Sequence, residues 1–131
     1  MTLSSQTEAH SDVLAVWNSY RDGIYDGDAD RLASIFHPSA CMFFLKDGQL
    51  ISTPIENYIE VVRNRTSPRA IDSERRERLL SIAIPSTDSA VVTATILITG
   101  RHFTDQLTMM KDGERWLIVS KTYHLDYDSS S

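Results

Sequence analysis

Apolar residues recur through the first part of the chain at the spacing of one helical face. Val13, Val16, Trp17, Tyr20 and Ile24 fall at i, i+3, i+4, i+7 and i+11. The pattern predicts a helix over residues 5–26, with Ser5 and Glu8 as a capping box and Gly27 as the left-handed residue that ends it. Asp28 then caps a second, short helix over residues 29–36, which Pro38 stops. Residues 41–45 are an apolar run that reads as a buried strand, turned by Asp47-Gly48 into residues 49–52. Thr53-Pro54-Ile55-Glu56 sets threonine at an N-cap, proline at the first helical position and glutamate three residues after the cap. The helix that follows buries Ile55, Tyr58, Ile59 and Val62, and residues 65–73 form a loop. Residues 74–84 are ambiguous, their first half favouring helix and residues 80–84 favouring strand. Three β-rich segments follow, residues 91–99, 101–110 and 115–125, with Asp112-Gly113 joining the last two. Helices first and a run of antiparallel strands afterwards is an α+β order, not a βαβ one.

The final hairpin arranges the polar residues. With Asp112 and Gly113 as the two central turn residues, Met109 faces Trp116, Leu107 faces Ile118, Asp105 faces Ser120, Phe103 faces Thr122 and Arg101 faces His124. These side chains share one side of the sheet, apolar at its near end and polar at its far end. The other side carries Met110, Leu117 and Val119 with Thr104, Gln106, Lys121 and Tyr123. Apolar walls with a few convergent polar groups are what a pocket for a small amphiphilic molecule requires. The alternative is the wet edge of an ordinary sheet, with Arg101 and Asp105 as a rim ion pair worth little. A longer loop with a bulge would shift the register by one and exchange the two faces.

Composition narrows the function classes. At 131 residues the chain has the size of one domain, residues 1–131, with frayed tails over 1–7 and 126–131. A net charge of −5 argues against tracking a nucleic-acid backbone, and the basic cluster Arg75, Arg76, Arg78 is interleaved with Glu74 and Glu77. Cys41 stands alone inside an apolar run, so it reads as a small buried hydrophobe in a reducing, cytoplasmic compartment. No segment reads as a signal peptide or a membrane span, and the four histidines give no metal-binding spacing. No phosphate-binding or dinucleotide glycine motif occurs, so no cofactor is expected.

Several motifs carry a family resemblance over nearly the whole chain: Gly27-Asp28, Ile35-Phe36-His37-Pro38, Gly100-Arg101-His102-Phe103-Thr104-Asp105, the run from Lys111 to Val119, and Lys121-Thr122-Tyr123-His124. The sequence resembles the nuclear transport factor 2-like superfamily and, within it, the bacterial group described as "putative lumazine-binding". The resemblance implies a cystatin-like α+β cone, a strongly curved antiparallel sheet closed by N-terminal helices. It also implies that residues 74–84 are mainly strand. A homodimer through the outer sheet face is implied as well, which Leu117, Val119 and Met110 would suit. Ketosteroid isomerases belong to the superfamily. Their oxyanion-donating tyrosine matches Tyr20, but their base aspartate falls on Phe44, which cannot carry a proton, and Ser120, Thr122 and His124 match inward positions of their last strand.

The expected ligand-binding set is therefore Trp17, Tyr20 and Tyr58 from the helices, with Arg101, Phe103, Asp105, Trp116, Ser120, Thr122 and His124 from the sheet. The leading expectation is a homodimeric binder of an aromatic or heterocyclic small molecule. An isomerase, cyclase or dehydratase using Asp105 or His124 as base and Tyr20 as donor is the second, and a dimerisation module with a vestigial pocket the third.

Overall fold

Helix α1 (Leu3–Asp26) turns Val13, Trp17, Tyr20 and Ile24 inward, each no more than 3% exposed. Gly27, at φ +67°, ends it, and Asp28 caps α2 (Ala29–Ile35) by accepting from the Arg31 N–H. The computed structural model describes residues 3–129. Among them, α3 (Ile55–Asn64) and six strands complete the chain: β1 (Phe36–Lys46), β2 (Gln49–Pro54), β3 (Glu77–Ala83), β4 (Ser89–Ile98), β5 (Arg101–Asp112) and β6 (Arg115–Asp128). The strands form one curved sheet in the order β2-β1-β6-β5-β4-β3, and the helices pack on its inner face. Every pair is antiparallel except β1 with β6, which run parallel, so the expectation of a wholly antiparallel sheet is corrected at that one ladder.

Local boundaries moved where one residue type could serve two neighbouring positions. Helix α1 begins at Leu3, so Ser5 lies inside it and not at its cap. The N-cap of α3 is Pro54 with no side-chain cap bond, because Thr53 is drawn into the β2 ladder opposite Met42. Pro38 stops nothing: β1 starts at Phe36, and the proline sits where the β1–β6 register shifts, a place that needs no ladder N–H. Residues 77–83 are strand, which resolves the ambiguity of that segment. Cys41 is half-buried, not buried. Of the tails expected to fray, Leu3 to Thr7 belong to α1 and Asp126 to Asp128 to β6; Met1, Thr2, Ser130 and Ser131 lie outside the described residues.

The last hairpin departs most from expectation. Asp112 pairs with Arg115, so Gly113 and Glu114 are the turn residues, and Gly113 at φ +63° takes the first central position, as glycine does in a type II′ turn. That slip alone keeps the faces, since Met109 and Ile118 are opposite and both point inward. A bulge then intervenes: Met109 pairs with Ile118 but Thr108 pairs with Ser120, leaving Val119 extra. Beyond it every β6 side chain changes sides. Lys121 and Tyr123 turn inward opposite Leu107 and Asp105, while Ser120, Thr122 and His124 turn outward opposite Thr108, Gln106 and Thr104.

Candidate functional site

Leu107 and Met109, both fully buried, carry β5 through the apolar core, and the next inward residue along the strand is Asp105, 1% exposed. A carboxylate there needs partners, because an ion taken from water without them is costly. Two arrive from different elements. Tyr20 Oη, on the inward face of α1, donates to Asp105 Oδ2 at 2.6 Å, and Lys121 Nζ, delivered by the β6 bulge, lies 3.9 Å from the same oxygen. Lys121 is itself 4% exposed. Its ammonium sits over three tyrosine rings, 4.6 Å from the centre of Tyr58, 5.1 Å from Tyr123 and 5.3 Å from Tyr20.

Burial first, and then the Asp105 charge, hold the Tyr20 hydroxyl protonated well above the ordinary tyrosine range. Tyr123 is shifted the same way, by burial and then by Tyr58 and Asp105.

This cluster forms one side of an open cavity of about 790 Å³. Its wall is aromatic: Phe44 stacks on Tyr123 at 5.0 Å and Phe103 meets the same ring edge-on at 6.0 Å. Met42, Leu45, Ile98 and Leu125 extend the apolar lining. The charged lining residues are Arg65, Arg101, Lys121 and Asp105, three cations to one carboxylate in a chain whose net charge is −5. At the rim, Thr99 holds φ +46° in the two-residue turn between Ile98 and Arg101. A β-branched residue in the left-handed region is strained, and such outliers cluster at binding sites.

Of the ten residues read from the sequence as a ligand-binding set, Tyr58, Arg101, Phe103, Asp105 and His124 line this cavity. Trp17 and Trp116 are instead buried members of the apolar core, and Tyr20 stands behind Asp105 with no exposed surface. Ser120 and Thr122 lie on the opposite face of the sheet, moved there by the bulge at Val119. His124 lines the cavity at its rim, its ring 77% exposed and its Nδ1 2.9 Å from Asp126. The catalytic arrangement of Asp105 or His124 as base with Tyr20 as donor to a substrate is not what the geometry presents, because the Tyr20 hydroxyl is given to Asp105 itself. His37 lies apart from the cavity lining and accepts from the Ser39 N–H. Lys121, Tyr123 and Arg65 were missed. The first two followed from the unseen bulge; Arg65 is the extended C-cap residue just past α3, outside the helical stripe, so periodicity carried no sign of it. Among the described residues no three of His, Cys, Asp or Glu converge to hold a metal ion, and no helix is long and apolar enough to cross a membrane.

Residues 8–124 match the family described as "Putative lumazine-binding". The chain belongs to that family. Similar solved structures agree with this membership at the level of the fold. An NTF2-like protein of unknown function from Shewanella baltica is 24% identical, with a TM-score of 0.84 over 98% of this chain and 99% of that one. Another, from Silicibacter pomeroyi, is 22% identical, with a TM-score of 0.81 over 95% and 99%. A ketosteroid isomerase-like protein from Erwinia carotovora atroseptica is 10% identical, with a TM-score of 0.69 over 89% and 95%. The fold is that of these NTF2-like structures, with three α-helices on a curved six-stranded sheet among the described residues. No curated protein matches the sequence.

Proposed function

We propose that this protein is a cytoplasmic, homodimeric binder of a small aromatic or heterocyclic molecule, held in the cavity between Phe44, Phe103, Tyr123 and the Asp105–Lys121 pair. The observation that carries the reading is the pair itself: two opposite charges, each less than 5% exposed, at the edge of an open cavity. A buried ion pair is weak support for a fold, since apolar residues of the same volume commonly serve stability as well or better. Facing a cavity of drug-ligand size with aromatic walls, it is well suited to orient a bound molecule. Dimerisation would use the outer sheet face, where Thr93, Thr95, Thr104, Gln106 and Thr108 lie on the side away from the helices, flanked by Arg78 opposite Thr95 and by Asp126 bonded to Thr104. The three apolar residues expected there are not equivalent: Met110 is 46% exposed, Val119 half-buried, and Leu117 already buried within its own chain.

Native mass spectrometry of the protein as expressed, followed by denaturing release, tests both parts. A dimer mass carrying a releasable aromatic compound is the expected result. A monomer would overturn the outer-face interface. An empty protein that no aromatic fragment stabilises in a thermal-shift screen would overturn the binding role.

A further inference from the structure

Arg65 lines the cavity and carries a buried Nη2 with no hydrogen-bond partner among the described residues. A guanidinium stays charged at any physiological pH, and a buried charged donor left unpaired is among the costlier features a protein can keep. The neighbouring groups do not answer it. Asp105, the carboxylate of the lining, already receives Tyr20 and Lys121. Asp128 lies 3.7 Å from Arg101 at the rim, and Asp126 is held by Thr104 and His124. The C-terminal end of α3 lends Arg65 a partially negative environment, but no carbonyl accepts from Nη2. Tyr58 lies beneath the guanidinium, its ring centre 5.7 Å from the central carbon, and holds the fork in place.

We infer that the ligand is an aromatic carboxylate, or an aromatic ring bearing an equivalent planar oxyanion, and that Arg65 receives the anionic group while Phe44, Phe103 and Tyr123 take the ring. The inference rests on the reading of this cavity as a ligand site. Arg65 brings a permanent cation to the cavity wall to pair with a planar oxyanion, and Lys121, which also lines the cavity, adds positive potential. Arg65 selects for the anion, and the aromatic wall supplies the contact area.

The probes are 2-naphthoate and 2-naphthamide, of the same shape and differing in charge, titrated into 15N-labelled protein. Naphthoate is expected to bind roughly tenfold or more tightly than the amide, the scale of one hydrogen bond to a charged group. Naphthoate, and not naphthamide, is expected to move the Arg65 side-chain Nε–Hε signal. In Arg65→Gln the preference collapses towards unity while the amide's affinity is kept, and Arg65→Lys lies between. Should Arg65→Gln fail to fold, the Nε–Hε signal of the unaltered protein still decides. Equal binding of the two probes in the cavity overturns the anion inference and leaves the binding role standing. A naphthoate preference that survives in Arg65→Gln overturns the part given to Arg65. If neither probe perturbs a cavity residue up to its solubility limit, the inference falls together with the reading it rests on.

Discussion

Leu107 and Lys121 are opposite each other in the sheet, and the molecule changes character across that rung. On one side Met109, Ile118, Val13, Ile24 and Leu32, each at most 1% exposed, belong to a single cluster with no charged member. On the other, two residues further along β5, Asp105 and Lys121 are nearly as buried but charged, and the space before them is open. The closed end is stabilised by apolar area removed from water, about 25 cal/mol per Å². The open end gains little by that route, because the desolvation of two ions offsets most of their attraction. The same strands thus support packing at one end and a preorganised polar group at the other.

The variants that separate the two ends differ in what accompanies the loss of stability. Lys121→Ala leaves the Asp105 charge buried without its cation and is expected to cost about 3–5 kcal/mol by urea unfolding. Leu107→Ala is expected to cost about 2–5 kcal/mol through a cavity alone. If the two polar partners are structural in the same sense as Leu107, replacing the whole cluster by apolar residues would be as damaging as removing one member, which the final experiment below addresses.

Tyr20→Phe is a smaller change, about 1–3 kcal/mol, and it brings a pH signature that no apolar-end variant shares. The folded protein holds Tyr20 protonated well above the ordinary value, by burial first and the Asp105 charge next. An unfolded chain ionises near pH 10. Below that pH both states keep the proton and this contribution is fully present; above it the unfolded chain releases its proton first, so stability falls as pH rises. Unfolding free energies between pH 9 and 11 should therefore decline less steeply in Tyr20→Phe than in the parent. An equal decline would show that Tyr20 is not shielded as described.

At the rim the effects shrink further. Thr99→Gly, which relieves a left-handed β-branched residue, is expected to raise stability by about 1 kcal/mol. Arg101→Ala removes a solvent-exposed pair with Asp128 and should change stability by less than about 0.5 kcal/mol.

The two ends also differed in how readable they were. The apolar end was written in periodicity: Val13, Trp17, Tyr20 and Ile24 on α1 and Ile55, Ile59 and Val62 on α3 were all visible as helical stripes, and all are buried. On β5, alternation placed Arg101, Phe103 and Asp105 at the cavity and Leu107 and Met109 in the core, because that strand's inward alternation is unbroken. On β6 the same alternation failed at one residue. Val119 has no local mark of a bulge, neither glycine nor proline, and its extra place in the ladder is set by pairing with β5 and β1 at once. The consequence was a reversal of faces, which brings Lys121 and Tyr123 to the cavity in place of Ser120 and Thr122 and leaves His124 at its rim. Arg65 was a different kind of miss: it lies just past the last turn of α3 with an extended backbone, where helical periodicity no longer says which way a side chain points.

The most direct test of the claim that the open end is built for a ligand and not for the fold is the urea unfolding midpoint of the triple variant Tyr20→Phe/Asp105→Leu/Lys121→Met. It removes the buried charges and their donor together and keeps the volume apolar, leaving no group unpaired. A stability within about 1 kcal/mol of the parent, or above it, is the predicted result. A loss of more than about 3 kcal/mol would contradict the account and make the Tyr20–Asp105–Lys121 cluster a structural element of the fold.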